Sequence, residues 1–379
     1  MNDTSSTNLP SKSPVRILHA VPSLGLANGV AAVVMNWYRE IDRSKVQFDF
    51  LVCYEREKSY ESEIKKLGGR VYTMPSPRRR PLGFLASAYK IFKEGNYSVF
   101  HSHVTQYNFL FFPLARIYGV KKIILHSHNP KYSDSKIKGF FAGLMLACVK
   151  NMADVKAACS EKAGDFLFGK NAKYEILNNA VDCKKFAFNP HKRAEIRAKL
   201  GLGESDLVLG HIGRFCEQKN QLFLLDVFAE LLKRRPDCKL IMAGMGPLEQ
   251  ATKEKAKSLG VEKNTLFMGV YDKPEDLYRA MDIFVLPSLY EGFGLVAAEA
   301  QACGLPCFIS DEVPDNVHII HTFKISLKNS PARWADIILA NTTTFIRKDE
   351  SLTIEQAGFG VKSIINKLND FYGTALNEK

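Results

Sequence analysis

The chain has 379 residues, 46% hydrophobic and 24% charged, with a net charge of +12. That is the composition of a soluble globular protein, long enough for two domains that each bury a core. Its longest apolar stretch, 139–149, falls well short of the roughly 20 residues that a membrane span requires, which excludes a chain that crosses a bilayer.

The first 14 residues are polar, without the apolar run of a signal peptide, and are expected to form a disordered tail. Residues 15–20 are a short run of branched apolar residues, as in a buried parallel strand. A loop follows, then a helix over 30–41, a strand over 48–53, a charged helix over 57–67 that stops at Gly68-Gly69, and a strand over 71–74. Strands over 99–103 and 122–128 each end in histidines, and helices are expected over 109–118 and 140–152. Residues 178–199 are polar and interrupted by proline, which places a linker near 183–200. The second half begins again with a strand over 207–212 and a helix over 221–234, for which Asn220 is the expected N-cap. A strand over 239–243 runs into Gly244-Met245-Gly246, and Pro247 is expected to open the next helix as a first-turn proline. Strands over 265–269, 283–287 and 306–310 alternate with helices over 274–281 and 294–303. After about residue 315 the rhythm weakens, and an amphipathic helix over 354–372 closes the chain.

This alternation predicts two doubly wound α/β domains, over 15–190 and 191–353, with the closing helix crossing back to the first. Ligands of such sheets bind beyond the carboxyl ends of the strands, at the point where strand order reverses. Two sheets facing each other by those ends would share one cleft. The eight cysteines form no Cys-x-x-Cys pair; Cys303 and Cys307 read as core thiols, and the pattern suits a reducing compartment.

Charge divides the chain as the elements do. Residues 1–190 hold 28 Lys and Arg against 15 Asp and Glu, whereas residues 191–379 hold 24 against 25. The basic half calls for an anionic partner. Nucleic acid fits poorly, because the basic segments lack interleaved stacking aromatics. Arg78, Arg79 and Arg80, then Lys131, Lys136 and Lys138 beside Phe140-Phe141, suit anionic lipid headgroups.

Four strand ends carry residues able to do chemistry. In the first, a glycine loop leads from 286 into an apolar helix that nevertheless bears Glu299. A buried carboxylate needs partners, and a pair of ribose hydroxyls is one; the alternative is a core salt bridge. The amides of Phe293, Gly294 and Leu295 open that helix and favour an anion, and Glu291 lies within reach of a bound sugar. In the second, Arg214 and Lys219 offer a planar fork and a point charge for a diphosphate; the alternative is two surface cations. In the third, the loop ending at Gly29 opens a helix and allows close approach to a phosphate, although it is neither a Gly-x-Gly-x-x-Gly nor a P-loop. In the fourth, His101 and His103, then His126 and His128, point the same way in pairs. A metal is the weaker reading of them, since no Asp-x-Asp stands ready to hold a metal–diphosphate complex. A neutral histidine donating to a sugar hydroxyl is the stronger.

In this order the residues resemble family 4 of the glycosyltransferases, which has the GT-B fold of two Rossmann-like domains across a cleft. The similarity runs from about residue 15 to 310. The family's Glu-x7-Glu signature is Glu291 and Glu299; its Gly-Arg and Lys signature is Gly213, Arg214 and Lys219; its Gly-x-Gly-Pro-Leu turn runs from Gly244 to Leu248; its linker motif is 177–182. His-Ser-His-Asn at 126–129 and Glu312-Val-Pro314 resemble the capsule and exopolysaccharide branch. Asn28 and Asn179 replace family glycines, and the Gly-Gly turn usual after Pro314 is absent.

The resemblance implies a retaining, metal-independent transfer of a hexose or N-acetylhexosamine from a nucleotide sugar, a UDP-sugar by preference, to a glycan acceptor that is lipid-linked. Glu291, His103, Arg214 and Lys219 would serve the reaction. Gly29, His126, Gly244, Phe293, Gly294, Leu295 and Glu299 would complete the donor site, without cofactor. The expected setting is the cytoplasm, peripheral on the inner face of the plasma membrane. The alternatives are a sugar-nucleotide epimerase on the same fold and a non-catalytic module that binds sugar nucleotide or glycan.

Overall fold

The computed structural model describes residues 13–26, 28–52, 58–131, 136–342 and 345–373, and of 136–139 only the backbone. The tail expected over 1–14 therefore lies, up to residue 12, outside the described residues, as do Cys53 and the start of the helix expected from residue 57.

The first domain alternates β1 (Val15–Val21), α1 (Gly29–Glu40), β2 (Val46–Val52), α2 (Glu61–Lys66), β3 (Val71–Thr73), α3 (Pro81–Gly95), β4 (Val99–Ser102), α4 (Asn108–Ile117), β5 (Lys122–Ser127), α5 (Lys136–Ala147), β6 (Val155–Ala158), α6 (Glu161–Phe168) and β7 (Glu175–Ile176). Its strands form one sheet in the order β3-β2-β1-β4-β5-β6-β7, with every pairing parallel. The linker is helical, with α7 (Cys183–Phe186) and α8 (Pro190–Lys199) where a polar connection was expected. Arg193 and Arg197 on α8 both reach Asp282, at 2.6 and 3.1 Å, and tie the linker to the second domain.

The second domain runs β8 (Leu207–Ile212), α9 (Gln221–Arg234), β9 (Cys238–Ala243), α10 (Glu249–Ser258), β10 (Thr265–Gly269), α11 (Pro274–Ala280), β11 (Ile283–Leu286), α12 (Leu295–Ala302), β12 (Cys307–Ser310), β13 (Thr322–Ile325) and α13 (Pro331–Thr342). Its sheet is parallel in the order β10-β9-β8-β11-β12-β13. The strand order of both sheets reverses beside the first strand of the domain, between β1 and β4 and between β8 and β11, so each has one switch point for a ligand. The chain ends in α14 (Ser351–Ile354), a kink at Gly358 with φ 87°, and α15 (Val361–Tyr372), so the single closing helix that was expected is broken. α15 packs on α1 of the first domain, and one apolar core continues from that domain through the linker to α12 and α15.

Several elements differ from expectation for identifiable reasons. α3 was not foreseen. Phe84, Ala88, Ile91 and Phe92 face the sheet, but Leu82, Leu85 and Tyr89 are exposed on the other side, which blurs the helical period. β6 and β7 span four and two residues, too few to show a period. β13 and α13 continue the fold beyond residue 315. Asn220 flanks α9 without capping it. A tight turn over Glu217–Lys219 forces it to φ 55°, and its Nδ2 donates instead to the Pro287 carbonyl at 3.1 Å. Pro247 lies ahead of α10, whose N-cap is Leu248.

Candidate donor site

The carboxyl ends of β1, β8, β9 and β11 enclose a cavity of about 630 Å³ between the domains. On the first-domain side, Asn28 caps α1 by accepting from the Ala31 amide at 3.0 Å. Gly29 is the first residue of that helix, and a Cβ there would meet nothing within 4 Å, so the helix opens into empty space. Its free amides and dipole favour an anion.

The second domain supplies the opposite wall. The loops after β8 and β9 touch so closely that a Cβ on Gly244 would lie 2.0 Å from the Gly213 carbonyl, which only glycine permits. Arg214 lines the cavity with its side chain exposed to it. Lys219 Nζ sits 2.6 Å from Glu291 Oε1, which also accepts from Ser288 Oγ at 2.7 Å. Glu291 is therefore buried with its charge paired and its direction set. The first turn of α12, from Leu295, presents further free amides beside Phe293 and Gly294. Glu299 lies one helical turn deeper, where its Oε2 accepts from the Tyr278 hydroxyl at 2.8 Å. Burial pushes its carboxyl up to about 7. The other oxygen remains able to accept from a ligand hydroxyl.

One cavity thus gathers Gly29, Arg214, Lys219, Gly244, Glu291, Phe293, Gly294, Leu295 and Glu299. Cations, helix amides and a carboxylate stand at separate places along it, an arrangement complementary to a diphosphate joined to a hydroxyl-bearing nucleoside.

The histidines are a correction. His103 and His126 do not line the cavity; they lie behind it in a buried ladder with His19 and His101. The cause is the pleat. Side chains two apart share a face, and that face is covered by α1, whose Trp37 ring lies 5.8 to 6.0 Å from three of the imidazoles, and by Tyr372 of α15. The rings bond to one another, His19 Nδ1 to His103 Nε2 at 3.0 Å and His103 Nδ1 to His128 Nε2 at 2.8 Å. Burial lowers the pKa of all five, with His19 and His128 near 3, so they are neutral at pH 7. The residues that reach the cavity from these strands are His128 and Asn129, with Tyr60 from the segment before α2. Tyr60 left no signal in the sequence; His128 did, within His-Ser-His-Asn, but nothing in the spacing ranks it above its neighbours.

Comparison with known proteins identifies relatives for both halves of the chain. Residues 27–185 match the family model described as Glycosyltransferase Family 4, and residues 192–340 match that of Glycosyl transferases group 1. The chain is 35% identical over 377 residues to EpsF of Bacillus subtilis (strain 168), assigned as a glycosyltransferase, covering 95% of this chain and 97% of that protein. It is 26% identical over 391 residues to the UDP-Gal:alpha-D-GlcNAc-diphosphoundecaprenol alpha-1,3-galactosyltransferase of Escherichia coli, with coverage of 95% and 97%. Its fold is shared with Anabaena Alr3699/HepE, solved in complex with UDP and glucose, at a TM-score of 0.78 and 18% identity over 95% of this chain and all of that one.

Proposed function

The chain belongs to glycosyltransferase family 4, and we propose that it moves a hexose or N-acetylhexosamine from a UDP-sugar to a lipid-linked glycan acceptor during exopolysaccharide synthesis, with retention of anomeric configuration. One observation carries this reading. Arg214 and Lys219 share a cavity with Glu299 and face the open N-terminus of α1. A pyrophosphate leaving between them would be neutralised from both domains at the moment its charge grows, and such stabilisation lowers the barrier. In this reading Glu299 clasps the ribose and Glu291, fixed by Lys219 and Ser288, holds the donor sugar. His128 and Asn129 close the cavity over that sugar. The leaving phosphate takes the acceptor proton on the same face, and no metal is assigned to the diphosphate. The donor and acceptor classes follow the E. coli relative, whose named substrates are UDP-galactose and a diphosphoundecaprenol-linked sugar.

The test is UDP release by the purified chain with a panel of UDP-sugars, with and without a polyprenyl-diphosphate-linked acceptor. Acceptor-dependent release is expected. Arg214→Ala is expected to lower kcat/KM at least tenfold, about 1.4 kcal/mol of transition-state stabilisation. Because Arg214 is exposed, the same change should leave the melting temperature almost unmoved. Glu291→Gln, which keeps the shape and loses the charge, should lose nearly all turnover. Interconversion of UDP-sugars without net UDP release would instead identify an epimerase.

A further inference from the structure

Nine of the fifteen large apolar side chains exposed among the described residues belong to α3, α4 and α5. These three helices form one layer over a single face of the first sheet, with α4 packed between the other two. Each follows a parallel strand and so begins at the carboxyl edge, the edge that carries the cavity. The start of α3 and the turn before α4 are in contact there, with the Phe84 and Tyr107 rings 5.0 Å apart. Leu82 and Leu85 lie in the first turns of α3, Phe109 at the start of α4, and Phe140 and Phe141 in the first half of α5, with Leu144 one turn further along. Leu82 and Phe140 are 80% and 70% exposed. Side chains of this kind scattered singly need no explanation; gathered on one edge they mark a surface that meets something apolar.

The charge around them selects what that is. The segments 78–95, 108–117 and 136–147 hold eight Lys and Arg and a single acidic residue, Glu94. Arg78, Arg79 and Arg80 are exposed and pair with no described carboxylate. A second copy of this chain docked by the same face would set like charges against each other, whereas an anionic bilayer complements both the cations and the apolar side chains. Lys131 is placed differently. Its ammonium lies 4.8 Å from the centre of the Tyr290 ring, next to the cavity loop, and not among the headgroup cations. The side chains of Lys136 and Lys138 lie outside the described residues.

We propose that the α3–α4–α5 edge is an anionic-membrane docking face, which inserts Leu82, Leu85, Phe140 and Phe141 below the headgroups and turns the mouth of the donor cavity toward the bilayer. This rests on the lipid-linked acceptor proposed above and supplies its route: α5 follows the cavity-lining His128 and Asn129 by only a few residues, so an acceptor held in the membrane needs no extraction to reach the cleft.

The experiment is co-sedimentation of the full chain with phosphatidylglycerol-containing and phosphatidylcholine-only vesicles across a salt series. It is paired with turnover on a vesicle-borne acceptor and on a water-soluble analogue. Binding is expected only to the anionic vesicles, falling steeply with salt. Leu82→Ser with Leu85→Ser, Phe140→Ser with Phe141→Ser, and the Arg78, Arg79 and Arg80 to Gln triple variant should each lose at least tenfold in binding and in turnover on the vesicle-borne acceptor. Turnover on the soluble analogue and affinity for UDP-glucose should stay unchanged. Equal binding to neutral vesicles, or native binding by all three variants, overturns the proposal. So does a native dimer, seen by light scattering, that Phe140→Ser with Phe141→Ser dissociates. Absence of anionic-vesicle binding by the native chain, with its turnover on the soluble analogue intact, refutes the docking face alone; vesicle binding without UDP release on either acceptor refutes the transfer reading and leaves the face standing.

Discussion

Glu299 concentrates the chemistry of the site in a single titration. Burial raises its carboxyl to about 7; the Tyr278 hydroxyl, Lys185 and Lys219 pull it back, and Glu275 adds to the rise. Two ribose hydroxyls are best accepted by the ionised form, so ligand binding and proton release are linked. Affinity for UDP-glucose is therefore expected to fall as pH drops below 7, approaching about tenfold per pH unit. The two phosphates of that donor are diesters and carry no proton in this range, so calorimetry reads the protein. Glu299→Gln should flatten the profile, and an unchanged affinity of the native chain between about pH 8 and about pH 6 would remove Glu299 from the clasp. The consequence for stability has the sign of a raised acid. The empty protein is most stable below about pH 4.5, where the carboxyl is neutral whether folded or unfolded, and loses stability as pH climbs from there to about 7, a decline the Gln variant should lack. Residue types were legible at this scale: the two glutamates and the two cations singled out from the sequence line one cavity. The depth of each histidine was not, because alternation gives the face of a strand but not what covers it.

At the scale of elements, the loop between β11 and α12 is held by the other domain. Ser160 Oγ and Cys159 Sγ, at the end of β6, both donate to the Gly292 carbonyl, and Asn316 Nδ2 donates to the Cys159 carbonyl at 3.1 Å. A Cβ on Gly292 would stand 1.8 Å from the His128 carbonyl, with backbone on both sides. Gly292→Ala therefore has to push the domains apart. We expect kcat to fall at least tenfold, about 1.4 kcal/mol, with the melting temperature nearly unchanged. Small-angle scattering with UDP-glucose should show a more open particle than the native chain; native turnover would mean that this contact is absent from the active arrangement. The sequence marked the loop through its glycines but not β6, which meets it. Those four residues carry no period of their own and become a strand by pairing with β5 and β7.

The whole molecule is closed by its last helix. Ile364, Leu368 and Tyr372 are buried in the core of the first domain, 180 residues and more from its last strand in the chain, and the Tyr372 hydroxyl meets His101 at 3.2 Å. The two tryptophans report the domains separately, Trp37 in α1 and Trp334 in α13, both fully buried. Leu368→Ala should cost the first domain about 2–5 kcal/mol. In urea, Trp37 fluorescence in a Trp334→Phe background should show that loss, while Trp334 in a Trp37→Phe background moves less; an equal shift of both would mean that the halves unfold as one unit. By itself, the sequence determined what depends on neighbours along the chain: the alternation of strands and helices, the division into two halves, the charge asymmetry and the residues at the second domain's strand ends. Only the tertiary structure decided which histidine lines the cavity, which face of α3 stays bare, how the Gly292 loop is latched and where on the first domain α15 docks. Each of these is a contact between segments far apart in sequence, and local period and propensity carry no record of which surface will cover which.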